Sequence, residues 1–424
     1  MKKYETLYSV IKQAIEKGEL KPGDRIISVR RASAEYGFSL TTVKSAYFDL
    51  CADGYIISRE RSGYYVSDMA KPELKRSNTR ANDDTVYDFC AGGADSDAFD
   101  TNLWQKYVKN ALRQKEKLLS YSEPQGEYDL RCAISEYIRK SRNVIASPDN
   151  IVIGAGVQPL LFILASLLKK GLTVSFPDDS FMLGRAVFSD YGFTIHTRDK
   201  DADVIYVSPS HMTRWGDVMP VKRRLELIDY SEKSGSLVIE DDYENEFLYN
   251  VKPTPSLYAL GRGNIVYIGS FSAMLLPGIR ISFMVLTDPL AQIFRNNMFK
   301  YAQTASKTEQ IALCGYIRDG HIFSQIRKAR RIYSAKTKIF VQKLRDRFKE
   351  AEIEIGENTI QITLRCPFKG SSEKLTESGI RAFVEGCENG SIMLVISPSG
   401  IPQNKLDNAA DALVKALLVN DADR

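Results

Sequence analysis

Ser270, Ser272 and Arg280 are residues of the right types to hold a dianion. They follow Ile265–Ile268, an apolar, β-branched and aromatic run that predicts a buried strand. Gly269-Ser270-Phe271-Ser272 is a small, hydroxyl-bearing turn, and Arg280 comes after Pro277 and Gly278. Arginine forks two charge-assisted hydrogen bonds onto phosphate oxygens, so two hydroxyls and a guanidinium past a strand end make an anion cradle. A loop with an ordinary surface arginine is the alternative. Three further segments follow apolar runs in the same way. Gly154-Ala155-Gly156-Val157-Gln158 opens a helix, and its small residues let backbone N–H groups approach an anion at the helix N-terminus. The alternative there is a tight strand–helix connection. Ile239-Glu240-Asp241-Asp242-Tyr243 brings carboxylates to a strand end, where one can hold a cationic ring nitrogen. Ser208-Pro209-Ser210-His211 follows Val204–Val207.

These segments need a sheet to align them. Strands are predicted at Ile151–Ile153, Thr173–Phe176, Val204–Val207, Leu237–Ile239, Ile265–Ile268 and Phe283–Leu286. Helices lie between, as at Gln158–Lys169 and Arg223–Ser234. Such alternation argues a mainly parallel, three-layer α/β sheet, in which ligands bind at the carboxyl ends of strands. Phe323–Lys349 predicts a long amphipathic, Arg/Lys-rich helix opening a smaller α+β unit. That unit has strands at Ile353–Ile355, Thr359–Leu364 and Ser391–Ile396, and a last helix at Lys405–Leu418.

The first fifth of the chain is different. The net charge is +5, and residues 1–76 hold 14 Lys and Arg against 10 Asp and Glu, so most of the surplus lies there. Glu5–Lys17 predicts a helix with Leu7, Val10, Ile11 and Ala14 inward. Ser28 caps a second helix that runs to Tyr36 and is closed by Gly37. Phe38 packs in the turn. Ser39 caps a third, Leu40–Ala52, with Val43, Ala46, Tyr47 and Leu50 inward. Tyr55–Ile57 and Tyr64–Val66 alternate like two short strands. Three helices and a hairpin form a winged helix-turn-helix. Its third helix would present Ser39, Thr41, Thr42 and Lys44 to base edges and phosphates, with Arg59 and Arg61 on the wing. The alternative is a small helical domain with a solvated hairpin. Residues 69–86 are polar and read as an exposed linker.

At 424 residues the chain should form two or three domains. Six scattered cysteines and three histidines without a CxxC pair argue reduced thiols and no metal site. No signal-peptide core or membrane-length apolar run appears, so a cytoplasmic protein without membrane association is expected.

Two resemblances sharpen these readings. Residues 4–68 resemble the GntR-type winged helix through Arg30, Thr42-Val43, Ala46-Tyr47, Leu50, Gly54-Tyr55-Ile56, Arg59 and Gly63. The resemblance implies that Arg30, Ser39, Thr41, Thr42, Lys44, Arg59, Arg61 and Gly63 serve binding of a double-stranded DNA operator. The segment Tyr267–Arg280 resembles the lysine segment of fold-type I, pyridoxal-phosphate (PLP) aminotransferases: a strand, Ser-x-Ser-Lys, then Arg seven residues on. That implies a three-layer α/β/α large domain and a small C-terminal α+β domain. It also implies roles for each matching residue. Ser270, Ser272, Arg280 and the Gly156-Val157-Gln158 turn would hold the phosphate. Asp241 would hold the pyridine nitrogen, Tyr243 the phenolic oxygen, and His211 would lie near the ring. Phe181 would stack on the ring, a core phenylalanine being the alternative. Tyr121, in YSEPQG, would reach the phosphate of a second subunit in a homodimer. Together the two halves resemble the MocR subgroup of GntR regulators, which sense PLP or a PLP–amine adduct. The implied boundaries are 1–68 for the DNA-binding domain, 69–86 for the linker, 87–322 for the large domain and 323–424 for the long helix and small domain.

The chain departs from the pattern at Ala273, which stands in the Schiff-base lysine position and leaves no catalytic residue to name. A methyl group forms no imine. Met212-Thr213-Arg214-Trp215 replaces the usual Gln-Phe-Pro-Thr, and Gln361 stands where a histidine is expected. Arg365 is the candidate for a substrate-carboxylate arginine. Three explanations of Ala273 stay open. PLP is held non-covalently or as an external aldimine with a small amino compound; the cofactor is lost; or the lysine was replaced deliberately. A regulator with a sensing fold and an aminotransferase carrying a DNA-binding head, inactivated by this replacement, both follow from the resemblance.

Overall fold

The computed structural model describes residues 3–59, 62–67, 87–90, 95, 97–212, 217–243, 245, 254–261, 264–272, 274–356, 360–388 and 390–418. Arg61, Thr213 to Trp215, Ala273, Thr359 and the expected linker from residue 69 lie outside them. The chain forms two compact units, residues 1–83 and 84–424.

In the first unit, α1 (Lys3–Glu16), α2 (Val29–Tyr36) and α3 (Leu40–Ala52) pack with the hairpin β1 (Ile56–Arg59) and β2 (Gly63–Val66). Leu7, Ile11 and Ile15 bury the inner stripe of α1, and Val43, Ala46, Tyr47 and Leu50 that of α3. Val10, expected inside, is 43% exposed, because the inward stripe runs 7, 11, 15 at four-residue spacing and turns position 10 outward. Ser28 Oγ accepts from Arg31 N, and Gly37 takes the left-handed φ of +64° that ends α2. Arg25 forms an isolated antiparallel bridge with Tyr65 on β2.

The second unit is built on a seven-stranded sheet. Its strands are β3 (Ile151–Gly154), β4 (Thr173–Phe176), β5 (Thr194–Thr197), β6 (Val204–Val207), β7 (Leu237–Asp241), β8 (Ile265–Ser270) and β9 (Ser282–Val285), in spatial order β3-β9-β8-β7-β6-β4-β5. All neighbours are parallel except β9, which is antiparallel to both β3 and β8. Both faces are buried: Ile151, Ile153, Tyr267 and Phe283 feed one core, and Val152, Val204, Ile239, Ile268 and Met284 the other. The weakly apolar β5 escaped the sequence reading because its exposure pattern is that of an edge strand. Phe283–Leu286 shifts by one residue to Ser282–Val285.

The helix α4 (Val157–Leu167) follows β3. The long helix α5 (His321–Arg347) leads into the small antiparallel sheet. That sheet comprises β10 (Glu352–Ile355), β11 (Ile362–Pro367), β12 (Phe383–Glu388) and β13 (Ser391–Ile396), in order β10-β11-β13-β12, and is followed by α6 (Leu406–Leu418). The strand expected at Thr359–Leu364 is Ile362–Pro367, its register set by pairing with β13. Lys336 on α5 forms a buried ion pair with Asp95 and donates to Ser399 O at 2.9 Å, pinning the helix between the two segments.

Candidate cofactor site and DNA-binding surface

Sheet register brings the anion-binding segments together. Ser282 at the start of β9 pairs with Gly154 on one side and Ser270 on the other. The turn after β3 and the turn after β8 therefore flank one strand end. Ser282 Oγ donates to Ser270 Oγ at 2.9 Å, and Ser272 N donates to the same oxygen at 3.3 Å. With both acceptor positions filled, the Ser270 hydroxyl can only donate elsewhere. Gly156 caps α4 with φ +97°, and a Cβ there would lie 2.4 Å from Arg280 Nη2. Glycine is thus required for the guanidinium to reach the turn. Gly156 N donates to Gly154 O, Ala155 N donates to Thr304 Oγ1, and Pro159 has no N–H. The N–H groups of Val157 and Gln158, which have no acceptor within the helix, remain to meet an anion. Arg280 itself is exposed, in a left-handed backbone conformation at φ +50°.

At the end of β7, three consecutive carboxylates are sorted by strand alternation. Glu240 Oε1 and Oε2 accept from Leu257 N and Tyr258 N, capping the short helix Leu257–Leu260. Burial, then the neighbouring Asp242 charge, pushes Glu240 up to about 7. Asp242 accepts from Arg142 Nε at 2.6 Å, Arg142 Nη2 at 3.0 Å, Ser210 Oγ at 2.8 Å and Tyr267 Oη at 2.8 Å. Asp241 faces the other way. Its Oδ2 accepts from the fully buried Tyr206 hydroxyl, and its buried Oδ1 has no partner. Burial raises Asp241 to about 6, helped by the Asp242 charge and opposed by the Tyr206 hydroxyl and the Tyr243 backbone N–H.

His211 is buried, its ring 4.9 Å from that of Tyr243. The Ser208–His211 turn is tied down through Ser210 and through Pro209 O, which accepts from Arg224 Nη2. Phe181 is half-buried and ends an aromatic stack, 5.2 Å from Tyr206, which lies 5.1 Å from Phe176. Tyr121 is fully exposed, on a loop whose Ser120 and Tyr121 carbonyls accept from Lys307 Nζ. Arg365 is exposed on the small sheet, 3.6 Å from Glu352. Sequence reasoning passed over Tyr206, Arg142, Ser282 and Thr304. Tyr206 and Ser282 look like ordinary strand residues, and Arg142 like a surface base in a helix end rich in them.

Asp241 Oδ1 and Ser272 Oγ are buried without a hydrogen-bond partner. A buried carboxylate oxygen suits a pyridinium nitrogen, and a buried hydroxyl beside Ser270 suits a phosphate. The donor set therefore fits PLP. Among the described residues no cluster of metal-ligating side chains occurs, and no helix is long and apolar enough to cross a membrane.

In the first unit, Ser39 Oγ accepts from Thr42 N at 3.1 Å and shares a 2.8 Å bond with Thr42 Oγ1. Arg30, Thr41, Lys44 and Arg59 are exposed, with Arg59 over the Tyr65 ring at 4.6 Å. Gly63 has φ +117°, and a Cβ there would meet Arg25 Nε at 3.4 Å.

Comparison with known proteins covers both units. Residues 3–66 match the bacterial regulatory proteins of the gntR family, and residues 85–413 match aminotransferase class I and II. The uncharacterized HTH-type transcriptional regulator YhdI of Bacillus subtilis is 31% identical over 94% of this chain and 89% of its own. The probable rhizopine catabolism regulatory protein MocR of Rhizobium meliloti is 27% identical over 79% of this chain and 76% of its own. Among solved structures, an archaeal alanine:glyoxylate aminotransferase superposes with a TM-score of 0.67 at 20% identity, over 78% of this chain and 90% of that one. The α-aminoadipate aminotransferase LysN of Thermus thermophilus, complexed with N-(5'-phosphopyridoxyl)-L-leucine, gives 0.65 at 21% identity, over 78% and 91%. The chain belongs to the MocR subgroup of GntR-family transcriptional regulators, in which a helix-turn-helix DNA-binding domain is fused to a fold-type I, class I and II aminotransferase domain.

Proposed function

We propose that this regulator senses PLP, or a PLP adduct of a small amino compound, through non-covalent contacts, and that it acts as a homodimer. The observation that carries this reading is the pair of orphaned buried atoms, Asp241 Oδ1 and Ser272 Oγ, beside an Arg280 guanidinium aimed at the α4 N-terminus. When bound, PLP supplies an aldehyde able to condense with amines and an electron-poor ring. Asp241 would hold the ring nitrogen, and Ser270, Ser272, Arg280 and the Val157 and Gln158 amides the phosphate. Tyr243 would bond the phenolic oxygen, while His211 and Phe181 would flank the ring. The exposed Tyr121 would complete the phosphate site of a partner subunit. None of these contacts passes through position 273, so its alanine removes the covalent anchor and the proton-transferring base but not the binding groups. The LysN complex supports the fold's capacity to hold a preformed adduct.

A ligand changes DNA binding only if its affinity differs between the two states of the dimer. The test is dialysis after PLP loading. PLP should leave on exhaustive dialysis, whereas Ala273→Lys should attach it covalently, trapped by borohydride and read by mass spectrometry. Retention by the Ala273 protein, or no attachment in Ala273→Lys, would falsify the site. Sedimentation at micromolar concentration should give a dimer; a monomer removes the role of Tyr121.

A further inference from the structure

Helix α3 exposes two large apolar side chains, Leu40 in its first turn and Phe48 further along. Phe48 is 72% exposed, whereas its neighbour Tyr47 is fully buried and donates its hydroxyl to Ile27 O at 2.8 Å. At about 100° per residue, Thr41, Lys44, Ser45 and Phe48 share one face, opposite the buried Val43, Ala46, Tyr47 and Leu50. All four are exposed. Their spacing, i, i+3, i+4 and i+7, is that by which a homeodomain recognition helix reaches base edges. Thr41, Lys44 and Ser45 are at home in water; a phenyl ring is not. A protein-docking patch would gather apolar neighbours, but on this face of α3 the ring's neighbours are the hydroxyls of Thr41 and Ser45 and the ammonium of Lys44. That surround complements a groove walled by phosphates. The one apolar group on the floor of the major groove is the thymine C5-methyl.

We propose that Phe48 reads thymine, its ring contacting the C5-methyl group in the major groove, and so sets part of the operator sequence. This rests on the DNA-binding reading of the first unit. Recognition by the apolar methyl leaves a signature that phosphate contacts do not: sensitivity to a single methyl group at constant charge.

The full-length protein would first be used to select duplexes from a random pool. In the best-bound duplex each thymine is then replaced in turn by deoxyuridine, which lacks only the methyl. One thymine per half-site should lose about fourfold in affinity, the worth of one buried methyl group. Phe48→Ala should bind thymine and deoxyuridine duplexes alike with an unchanged salt dependence, since no charge is altered. Phe48→Tyr should keep the discrimination. The substituted ring is exposed, so the fold should persist, as circular dichroism would verify. Insensitivity to deoxyuridine at every position, or full discrimination by Phe48→Ala, overturns the assignment. Failure to enrich any duplex instead overturns the DNA-binding reading on which it rests.

Discussion

The two faces of β7 treat adjacent carboxylates in opposite ways. On one face Asp242 accepts four hydrogen bonds, two of them from Arg142, and Glu240 caps a helix with both oxygens. On the other, Asp241 has Tyr206 at one oxygen and nothing at Oδ1. All three are buried. A buried carboxylate whose lone pairs are filled holds the fold together; one with an empty lone pair is poised for a cationic ligand. Under the proposed PLP-sensing reading, the difference separates the two structural carboxylates from the one that would bind.

The contrast is broken most forcefully from the filled side. Arg142→Ala would leave Asp242 charged and buried without its main partner, a loss of about 3–5 kcal/mol for a broken buried pair. Urea unfolding of the second unit should show it. A loss below about 1 kcal/mol would mean that Asp242 is not the structural member of the pair.

On the empty side the sign reverses. Burial raises Asp241 to about 6 in the folded chain, so the folded state keeps a proton that the unfolded state has released. Its contribution to stability is full below about pH 4 and is lost as pH rises through about 6. Asp241→Asn abolishes that loss. It should raise stability at pH 8 by up to about 3 kcal/mol and flatten the pH dependence, leaving the slope of the same sign that Glu240 contributes toward pH 7. The same variant should bind PLP at least about tenfold more weakly, since a charge-assisted bond to the ring is lost. A destabilised Asp241→Asn with intact PLP affinity would invert the assignment of the two faces.

How much of this was legible in the sequence follows from the range of the interactions. Ser28, Gly37, Ser39 and the inward set of α3 are local signals, set by capping and helical period, and the structure has them where the periodicity puts them. The strand ends that carry Ser270, Asp241 and Gly154 were readable because buried parallel strands are short apolar runs bounded by turns. The alignment of Gly154, Ser282 and Ser270 was not, because it depends on β9 inserting antiparallel between β3 and β8. The partner of Asp242 lies a hundred residues earlier, in a helix end whose other bases are exposed. Pairings at that separation leave no trace in local composition. Val10 was misplaced for a smaller reason: two positions satisfy a helical stripe, and only packing chooses between them.

The start of α3 repeats the contrast of β7 on a smaller scale. Ser39 and Thr42 spend their hydroxyls on each other and on the Thr42 amide, whereas Thr41 and Lys44 are exposed. Ser39→Ala removes an N-cap and should cost the first unit about 1 kcal/mol. The slope of log K against log salt should stay as it was, because no charge changes. Lys44→Ala should do the reverse. An exposed lysine on a helix contributes within about 0.5 kcal/mol to folding. If its ammonium meets a phosphate, its loss lowers the magnitude of the salt slope by about 0.9, the signature of one counterion no longer released, and weakens binding across sequences alike. The pair of measurements separates the two roles. A changed salt slope in Ser39→Ala, or an unchanged one in Lys44→Ala, would mean that a satisfied side chain can also be the one DNA uses, and the rule drawn from β7 would not carry over to the recognition helix.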